Sequence, residues 1–170
     1  YRNFDKIKIQ NKFGVDPSPT KEIDNIYKMT SDNFFKFNKK YFDIIFIDGL
    51  HLESQVDKDI SNSLNYLSKD GFIIMHDCNP PSEFHQRDEY EVNGKFPSWN
   101  GTVWKSFAKL RMNNTRLALC CVNCDWGIGI IRKAHSQTFP NSTTLDYNFL
   151  DKNKKKLLNL ISVKNFIQKI

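Results

Sequence analysis

Two runs of apolar residues that each end in an aspartate most constrain what this chain can fold into. FDIIFID occupies residues 42–48 and GFIIMHD occupies residues 71–77, so their aspartates lie 29 residues apart (77 − 48). Neither run alternates apolar with polar residues, which is typical of a central strand of a parallel sheet with both faces buried. The repetition predicts two parallel strands that bring Asp48 and Asp77 to the same edge of a sheet.

The segment between these strands has the spacing of a helix. Its apolar residues recur every three or four positions, and a glycine lies beyond the predicted helix end; they are Val56, Ile60, Leu64 and Leu67. An earlier short strand, Phe13 to Val15, ends at Asp16, 32 residues before Asp48 (48 − 16). Strands that alternate with helices at this spacing predict an α/β fold with a mostly parallel sheet. Asp16 would then join the other two aspartates at the carboxyl edge of the sheet, where ligands bind.

The remaining elements are predicted from shorter patterns. NIYKMT is a short strand candidate, and Thr30 or Ser31 caps a helix over SDNFFKFN. Val103, Phe107 and Leu110 lie on one face of a later helix. LALCCV and GIGIIRK, joined by NCDW, predict an antiparallel hairpin.

The domain organisation follows from these elements. Residues 1–134 are expected to form the α/β domain, and residues 135–170 a C-terminal helical appendage. The irregular stretch 78–100 is too long for a simple connection, so a functional loop is expected there.

Composition limits the classes of partner. No apolar run approaches the roughly 20 residues that a membrane span needs, and YRNFDKIKIQ is too charged for a signal peptide. The net charge of +6 raises nucleic acid as a partner, but much of the excess lies in the last twenty or so residues, so nucleic acid is disfavoured. Cys121 and Cys124 have a C-x-x-C spacing without a second pair of zinc ligands, so buried structural cysteines are favoured. Reduced thiols and the absence of a signal favour a cytoplasmic location.

Six segments in this order resemble one family. GVDPSP, TSDNFF, FDIIFIDGLHLESQVDKDI, GFIIMHDCNPPSEFHQR, WNGTVWKSFAKLR and CDWGIGIIR are similar to successive segments of the class I S-adenosylmethionine-dependent methyltransferases, in particular a bacterial group with IDG-x-H and HDC strand ends. The resemblance covers about Phe13 to Arg132. It implies a Rossmann-like three-layer sandwich with a seven-stranded sheet and an antiparallel C-terminal hairpin.

The resemblance also implies roles for individual residues. Asp16 would accept hydrogen bonds from the ribose hydroxyls of S-adenosylmethionine, which suits a carboxylate because it only accepts. Ser31 and Asp32 would lie near the adenine. Asp48, also assigned to cofactor binding, and His51 would face the region of methyl transfer. His76 and Asp77 would line the same cavity.

The chain departs from the family at its N-terminal side. The family's first strand and the glycine-rich loop after it should come before the strand that ends in Asp16. Only YRNFDKIKIQNK precedes FGVDP, and it contains no glycine. The chain is therefore expected to begin inside the domain, with a gap in the sheet between the strands that end in Asp16 and Asp48. Weak or absent cofactor binding by the chain is expected as a result.

Methyl transfer to a hydroxyl needs a way to remove the hydroxyl proton, and two routes are open. His51, His76 or His85 is a candidate general base, since an imidazole titrates near neutral pH. Alternatively, Asp48 and Asp77 hold a divalent cation such as magnesium, although the neighbouring residues differ from those of metal-dependent relatives. Asp48 also has a purely structural alternative, which is to cap the helix that follows it.

Three classes of function remain open from the sequence. The first is a methyltransferase that acts on a hydroxyl of a small molecule or a sugar. The second is another nucleotide-binding Rossmann-like enzyme, such as a dehydrogenase or a sugar-nucleotide enzyme. The third is a non-catalytic interaction module. A gap in the sheet would invite pairing with another chain, so a homodimer is also considered.

Overall fold

The structure, a computed structural model, describes residues 2–20, 22, 24–142 and 144–168. The chain divides into two compact units, Tyr1–Lys40 and Tyr41–Ile170. This division differs from the predicted boundary between residues 134 and 135, because the C-terminal segment returns to the main sheet. Among the described residues, no helix is both long enough and apolar enough to cross a membrane.

The first unit contains two short strands that pair in parallel. Its elements are α1 (Arg2–Lys6), β1 (Gly14–Val15), β2 (Ile26–Tyr27) and α2 (Ser31–Phe37). Gly14 pairs with Ile26, and Val15 pairs with Tyr27. The Thr30 hydroxyl accepts a hydrogen bond from Asn33 N at 3.3 Å and so caps α2, as the sequence predicted.

The second unit alternates strands with helices. Its elements are β3 (Phe42–Ile47), α3 (Glu53–Tyr66), β4 (Leu67–Met75), a 3₁₀ turn (Glu83–Gln86), α4 (Val103–Asn113), β5 (Leu117–Val122), β6 (Ile128–Lys133), α5 (Tyr147–Leu157), β7 (Leu160–Ile161) and α6 (Val163–Ile167). The C-terminal segment is therefore not purely helical, because β7 adds a strand to the sheet beside β5.

The five strands of the second unit lie in the order β3-β4-β6-β5-β7. The β3/β4 and β5/β7 pairs are parallel, and the β4/β6 and β5/β6 pairs are antiparallel. The antiparallel β5/β6 hairpin is the one that the sequence predicted. Together with the parallel β1/β2 pair, this arrangement confirms a Rossmann-like α/β fold. Within the described residues, β1 and β3 belong to different sheets.

Strand β3 differs from its prediction. The sequence predicted a central strand with both faces buried, but Ile44 and Phe46 are 52% and 46% exposed, while Ile47 is buried. Ile44 and Phe46 lie on one face of the strand and Ile45 and Ile47 on the other, so only one face packs on the core. Strand β3 is also the edge of the five-stranded sheet. An apolar run shows that a strand is suited to burial, but its position in the sheet depends on which other strands pair with it.

The helix after β3 is also shorter than predicted. Leu67 was expected to continue the apolar face of α3, but it pairs with Phe42 and begins β4. Val56 and Ile60 do lie in the core, as predicted from their spacing. Helix α4 buries Val103, Trp104 and Phe107 completely or nearly so. This core holds the ends of β3 and β4 in place.

Candidate active site

The parallel pairing of β3 and β4 brings Asp48 and His76 together. Ile47 is in register with Met75, and His76 N donates a hydrogen bond to Ile47 O at 3.1 Å. The residues that follow these partners therefore leave the sheet side by side. This is the arrangement that two successive parallel strands were expected to give.

Asp77 ends β4 in a left-handed backbone conformation, with φ of +63°. Aspartate tolerates this region better than most residues, and such conformations concentrate at functional sites. The next two residues bind the β5/β6 turn, since Cys78 N donates to Gly127 O at 2.9 Å and Asn79 N donates to Trp126 O at 2.8 Å. These bonds place the hairpin turn, and Asp125 within it, beside the end of β4.

His51 is held by the segment that precedes α4. Its backbone oxygen accepts a hydrogen bond from Thr102 N at 2.8 Å, and its ring stacks on Trp99 with centroids 5.1 Å apart. Its Nδ1 lies 3.3 Å from Trp99 O. Gly101 is necessary for this approach, because a Cβ there would collide with His51 O and lie 2.6 Å from His51 Cβ.

These elements assemble a cluster of two histidines and three carboxylates. His51 Nε2 lies 3.5 Å from Asp48 Oδ1 and 3.4 Å from Asp77 Oδ2. His76 Nδ1 lies 2.9 Å from Asp77 Oδ2 and 3.5 Å from Asp48 Oδ1. His76 Nε2 lies 3.3 Å from Asp125 Oδ2. The predicted meeting of Asp48, His51, His76 and Asp77 is therefore present in the second unit.

Asp77 is the buried member of the cluster. Its side chain is 7% exposed, whereas that of Asp48 is 36% exposed. Asn100, which is fully buried, donates from Nδ2 to Asp77 Oδ1 at 2.7 Å. A buried carboxylate needs such donors, since burial without them costs several kcal/mol. Asp77 is thus fixed from both sides, whereas Asp48 and Asp125 face solvent.

The pKa values of the cluster follow from these contacts. Burial raises the pKa of Asp48, but hydrogen bonds from His51 and His76 outweigh this effect and lower it to about 2. Hydrogen bonds to Asp48 and Asp77 raise the pKa of His76 to about 11. Burial lowers the pKa of His51, yet the hydrogen bond to Asp48 and the charge of Asp77 leave it above its ordinary value. At neutral pH Asp48 is therefore ionised and His76 is a cation.

The structure does not give Asp48 the helix-capping role that was its alternative. Helix α3 begins after Leu52, which makes no side-chain cap, and Glu53 N donates instead to Thr102 Oγ1 at 2.8 Å. The capping oxygen therefore comes from the segment before α4. Asp48 directs its carboxylate towards the two histidines.

The remaining residues predicted for the site are not part of this cluster. Asp16, Ser31 and Asp32 lie in the first unit, where Asp16 Oδ1 accepts a hydrogen bond from Ser18 N at 2.7 Å. Their roles towards a cofactor stay predictions. The predicted base His85 has its Nδ1 2.8 Å from Ser82 Oγ, and its ring packs on Trp126 with centroids 5.2 Å apart.

Sequence reasoning missed two members of the site. Asn100 lies in the irregular stretch before α4, and Asp125 lies in the hairpin turn between β5 and β6. The sequence holds one signal for Asn100, which is the glycine that follows it, because a glycine often marks a close backbone approach. Nothing local marks Asp125, since its partner His76 lies on another strand.

The α/β fold and its acidic strand ends define a Rossmann-like domain with a polar cluster at the carboxyl edge of its sheet. Residues 9–78 match the family model described as a methyltransferase domain, and the match includes Asp16, Asp48, His51 and Asp77. It confirms the resemblance to the class I S-adenosylmethionine-dependent methyltransferases over that part of the chain. No curated protein matches the sequence.

Proposed function

We propose that this protein transfers a methyl group from S-adenosylmethionine to a hydroxyl of a small molecule or a sugar. One observation carries the proposal, which is that His51 Nε2 lies within 3.5 Å of both Asp48 and Asp77 at the end of two parallel strands. An acceptor hydroxyl needs a group that removes its proton, and an imidazole between carboxylates is such a group.

The contacts of His51 define which of its nitrogens acts as the base. Trp99 O only accepts hydrogen bonds, so the contact of 3.3 Å makes Nδ1 the donor. In the neutral ring the lone pair is then on Nε2, which faces Asp48 and Asp77. Asp48 and Asp77 raise the pKa of His51 and stabilise a proton on Nε2, so the neutral ring, once formed, readily takes a proton from an acceptor.

His76 has a different role in this proposal. Both of its ring nitrogens face carboxylates, Nδ1 towards Asp77 and Asp48 and Nε2 towards Asp125. It therefore holds two protons at neutral pH and is not a base. As a cation it offsets part of the carboxylate charge and positions Asp48 and Asp77. We assign the base to His51 and keep His76 as a positioning residue.

Residues of the first unit suit the adenosine part of the cofactor. Asp16 supplies a carboxylate at the end of β1 that suits ribose hydroxyls, and Ser31 and Asp32 supply polar groups at the start of α2 for the adenosine. S-adenosylmethionine, when bound, supplies a methyl group on a positively charged sulfur, so the acceptor oxygen gains a carbon–oxygen bond as the carbon–sulfur bond breaks. The acceptor proton passes to His51 Nε2, and the charge lost from sulfur reappears on the imidazole. Asp48 and Asp77 stabilise that charge.

A divalent cation is a second candidate for activating the acceptor. Asp48, His51 and Asp77 each offer one ligand atom, and these atoms lie within 4.8 Å of one another. The predicted ligands were the two carboxylates alone, which suit magnesium. An imidazole in the set favours manganese, iron or zinc over magnesium. Such a cation would lower the pKa of the acceptor hydroxyl.

The test compares variants of the cluster with a matched variant outside it. The purified protein is assayed for transfer of a labelled methyl group to a panel of hydroxyl acceptors, at a high concentration of S-adenosylmethionine because weak cofactor binding is expected. H51Q and D48N are expected to lower kcat by about 10² or more, because a positioned base contributes that much. Asp70, an exposed aspartate near the other end of β4, provides the control D70N, which should keep full activity.

Two further readings of the same assay separate the alternatives. Activity that survives EDTA supports the His51 base, and activity that is lost in EDTA and restored by manganese supports the cation. If H51Q and D48N both retain the activity of D70N, the cluster is not the site of transfer and the proposal fails.

A further inference from the structure

Aromatic side chains continue outward from His51 over the surface of the second unit. Trp99 stacks on His51, Tyr90 contacts Trp99 with centroids 5.2 Å apart, and Phe96 contacts Tyr90 at 5.1 Å. Tyr90 and Phe96 are 53% and 62% exposed. We call these three rings, Tyr90, Phe96 and Trp99, the aromatic surface. They expose apolar area that begins at the cluster and ends in solvent.

The loop that carries this surface is ordered by one guanidinium. Arg87 donates from Nη1 to Phe84 O and Ser98 O, and from Nη2 to Tyr90 O and Pro97 O, at 2.9–3.2 Å. In return Trp99 Nε1 donates to Arg87 O at 2.7 Å. The rings are therefore held in place before any ligand arrives, which lowers the entropy cost of binding.

The charge of the same loop is opposite to that of the chain. The protein carries +6 overall, but residues 83–95 contain four carboxylates against two basic side chains, and Arg87 is one of the two. The neighbouring cluster adds three carboxylates, Asp48, Asp77 and Asp125, of which the cation His76 offsets only part. A negatively charged ligand would be repelled here, whereas a neutral or cationic one would not.

We propose that the aromatic surface is a subsite for a hydroxylated ring without negative charge, which packs its apolar face on Tyr90 and Phe96 and presents a hydroxyl to the cluster. The proposal rests on the proposed function, because it assigns the class of acceptor to that site. Both an aromatic diol and a sugar offer this chemistry, since each has an apolar ring face with hydroxyls at its rim. The surface disfavours phosphorylated and carboxylated acceptors.

The test measures binding directly, so that it does not depend on methyl transfer. Catechol, 3,4-dihydroxyphenethylamine and 3,4-dihydroxybenzoate present the same ring with neutral, positive and negative charge, and methyl glucoside provides the sugar arm. Binding to the purified protein is followed by saturation-transfer NMR at low and high salt. The neutral and cationic rings, or the glucoside, are expected to bind, and the anion to bind several-fold more weakly at low salt. The difference should shrink at high salt because added ions screen the repulsion.

Variants locate the binding on the aromatic surface. Y90A and F96A, which truncate exposed rings, are expected to weaken binding by about 5- to 10-fold, as the loss of one ring contact predicts. Y41A is the matched control, because Tyr41 is 69% exposed, contacts Tyr66 with ring centroids 6.3 Å apart, and precedes the first residue of β3, at the end of the strand away from the cluster. Thermal melts test whether all three variants fold.

The outcomes separate this proposal from the function on which it rests. Y90A and F96A that bind every probe like Y41A would overturn the subsite, as would the absence of binding by any ring at millimolar concentrations. Equal or tighter binding of the anion would overturn the charge preference. Ring binding without methyl transfer would leave the subsite standing and reject the proposed function. Methyl transfer to an acyclic alcohol that is unchanged in Y90A would support the proposed function and reject the subsite.

Discussion

The approach of Gly101 to His51 supports a sharp prediction, because the chain contains a matched control. Gly101 and Gly94 both have left-handed backbone conformations, with φ of +60° and +70°. A Cβ at Gly94 would have no neighbour within 4 Å, whereas a Cβ at Gly101 would collide with the backbone of His51. G94A therefore introduces backbone strain alone, and G101A introduces the same strain together with a collision.

The magnitudes follow from these two terms. A left-handed conformation costs a non-glycine residue about 1–2 kcal/mol, so G94A should lower the free energy of unfolding by that amount. G101A adds overpacking of about 1–3 kcal/mol. It also disturbs the hydrogen bond from Thr102 N to His51 O, which contributes about 1 kcal/mol. The expected excess of G101A over G94A is therefore about 2–4 kcal/mol.

The assay is urea unfolding followed by tryptophan fluorescence. All three tryptophans, at positions 99, 104 and 126, lie in the second unit, so the signal reports on the unit that holds both glycines. G101A is also expected to lose methyl transfer, because His51 must shift. The reasoning is refuted if the two variants lower the free energy of unfolding equally, since the collision would then be absent.

Three further predictions concern charge and thiol chemistry. Because the pKa of His76 is raised to about 11, its contribution to stability is fully present below its ordinary pKa of 6.5 and is lost as the pH rises towards 11. In buffer with EDTA, the deficit of H76Q relative to the parent should shrink from neutral to alkaline pH in urea unfolding, and a constant deficit would contradict this. Burial raises the pKa of Cys121 to about 12, so iodoacetamide should modify the exposed Cys124 first, and labelling of Cys121 in the folded protein would be the opposite result by mass spectrometry. K109M removes the contacts of 2.6 Å from Lys109 to Glu53 and Asp57. Because all three side chains are partly exposed, thermal melts should show a loss of stability of no more than about 1 kcal/mol. A larger loss would mean that these ion pairs do not behave as surface ones.

The sequence predicted the parts of the fold that depend on local pattern. The apolar runs before Asp48 and Asp77, the spacing of Val56 and Ile60, and the cap at Thr30 are all where the pattern put them. Each of these features depends on residues that are close together in the sequence. The same local reasoning brought Asp48 and Asp77 to one edge, because successive parallel strands end together, and the family resemblance placed His51 and His76 beside them.

The tertiary structure alone decided which other groups complete the site and which faces are covered. Asn100 donates to Asp77 across 23 residues of sequence, and Asp125 reaches His76 only because the β5/β6 turn binds the end of β4. The edge position of β3 likewise depends on the order of strands, not on its own composition. Local pattern indicates which segments form strands, although β4 begins at Leu67, earlier than the pattern indicated, because that residue pairs with Phe42. Contacts between residues distant in sequence form only when the whole sheet packs, since several segments could pair with any one strand.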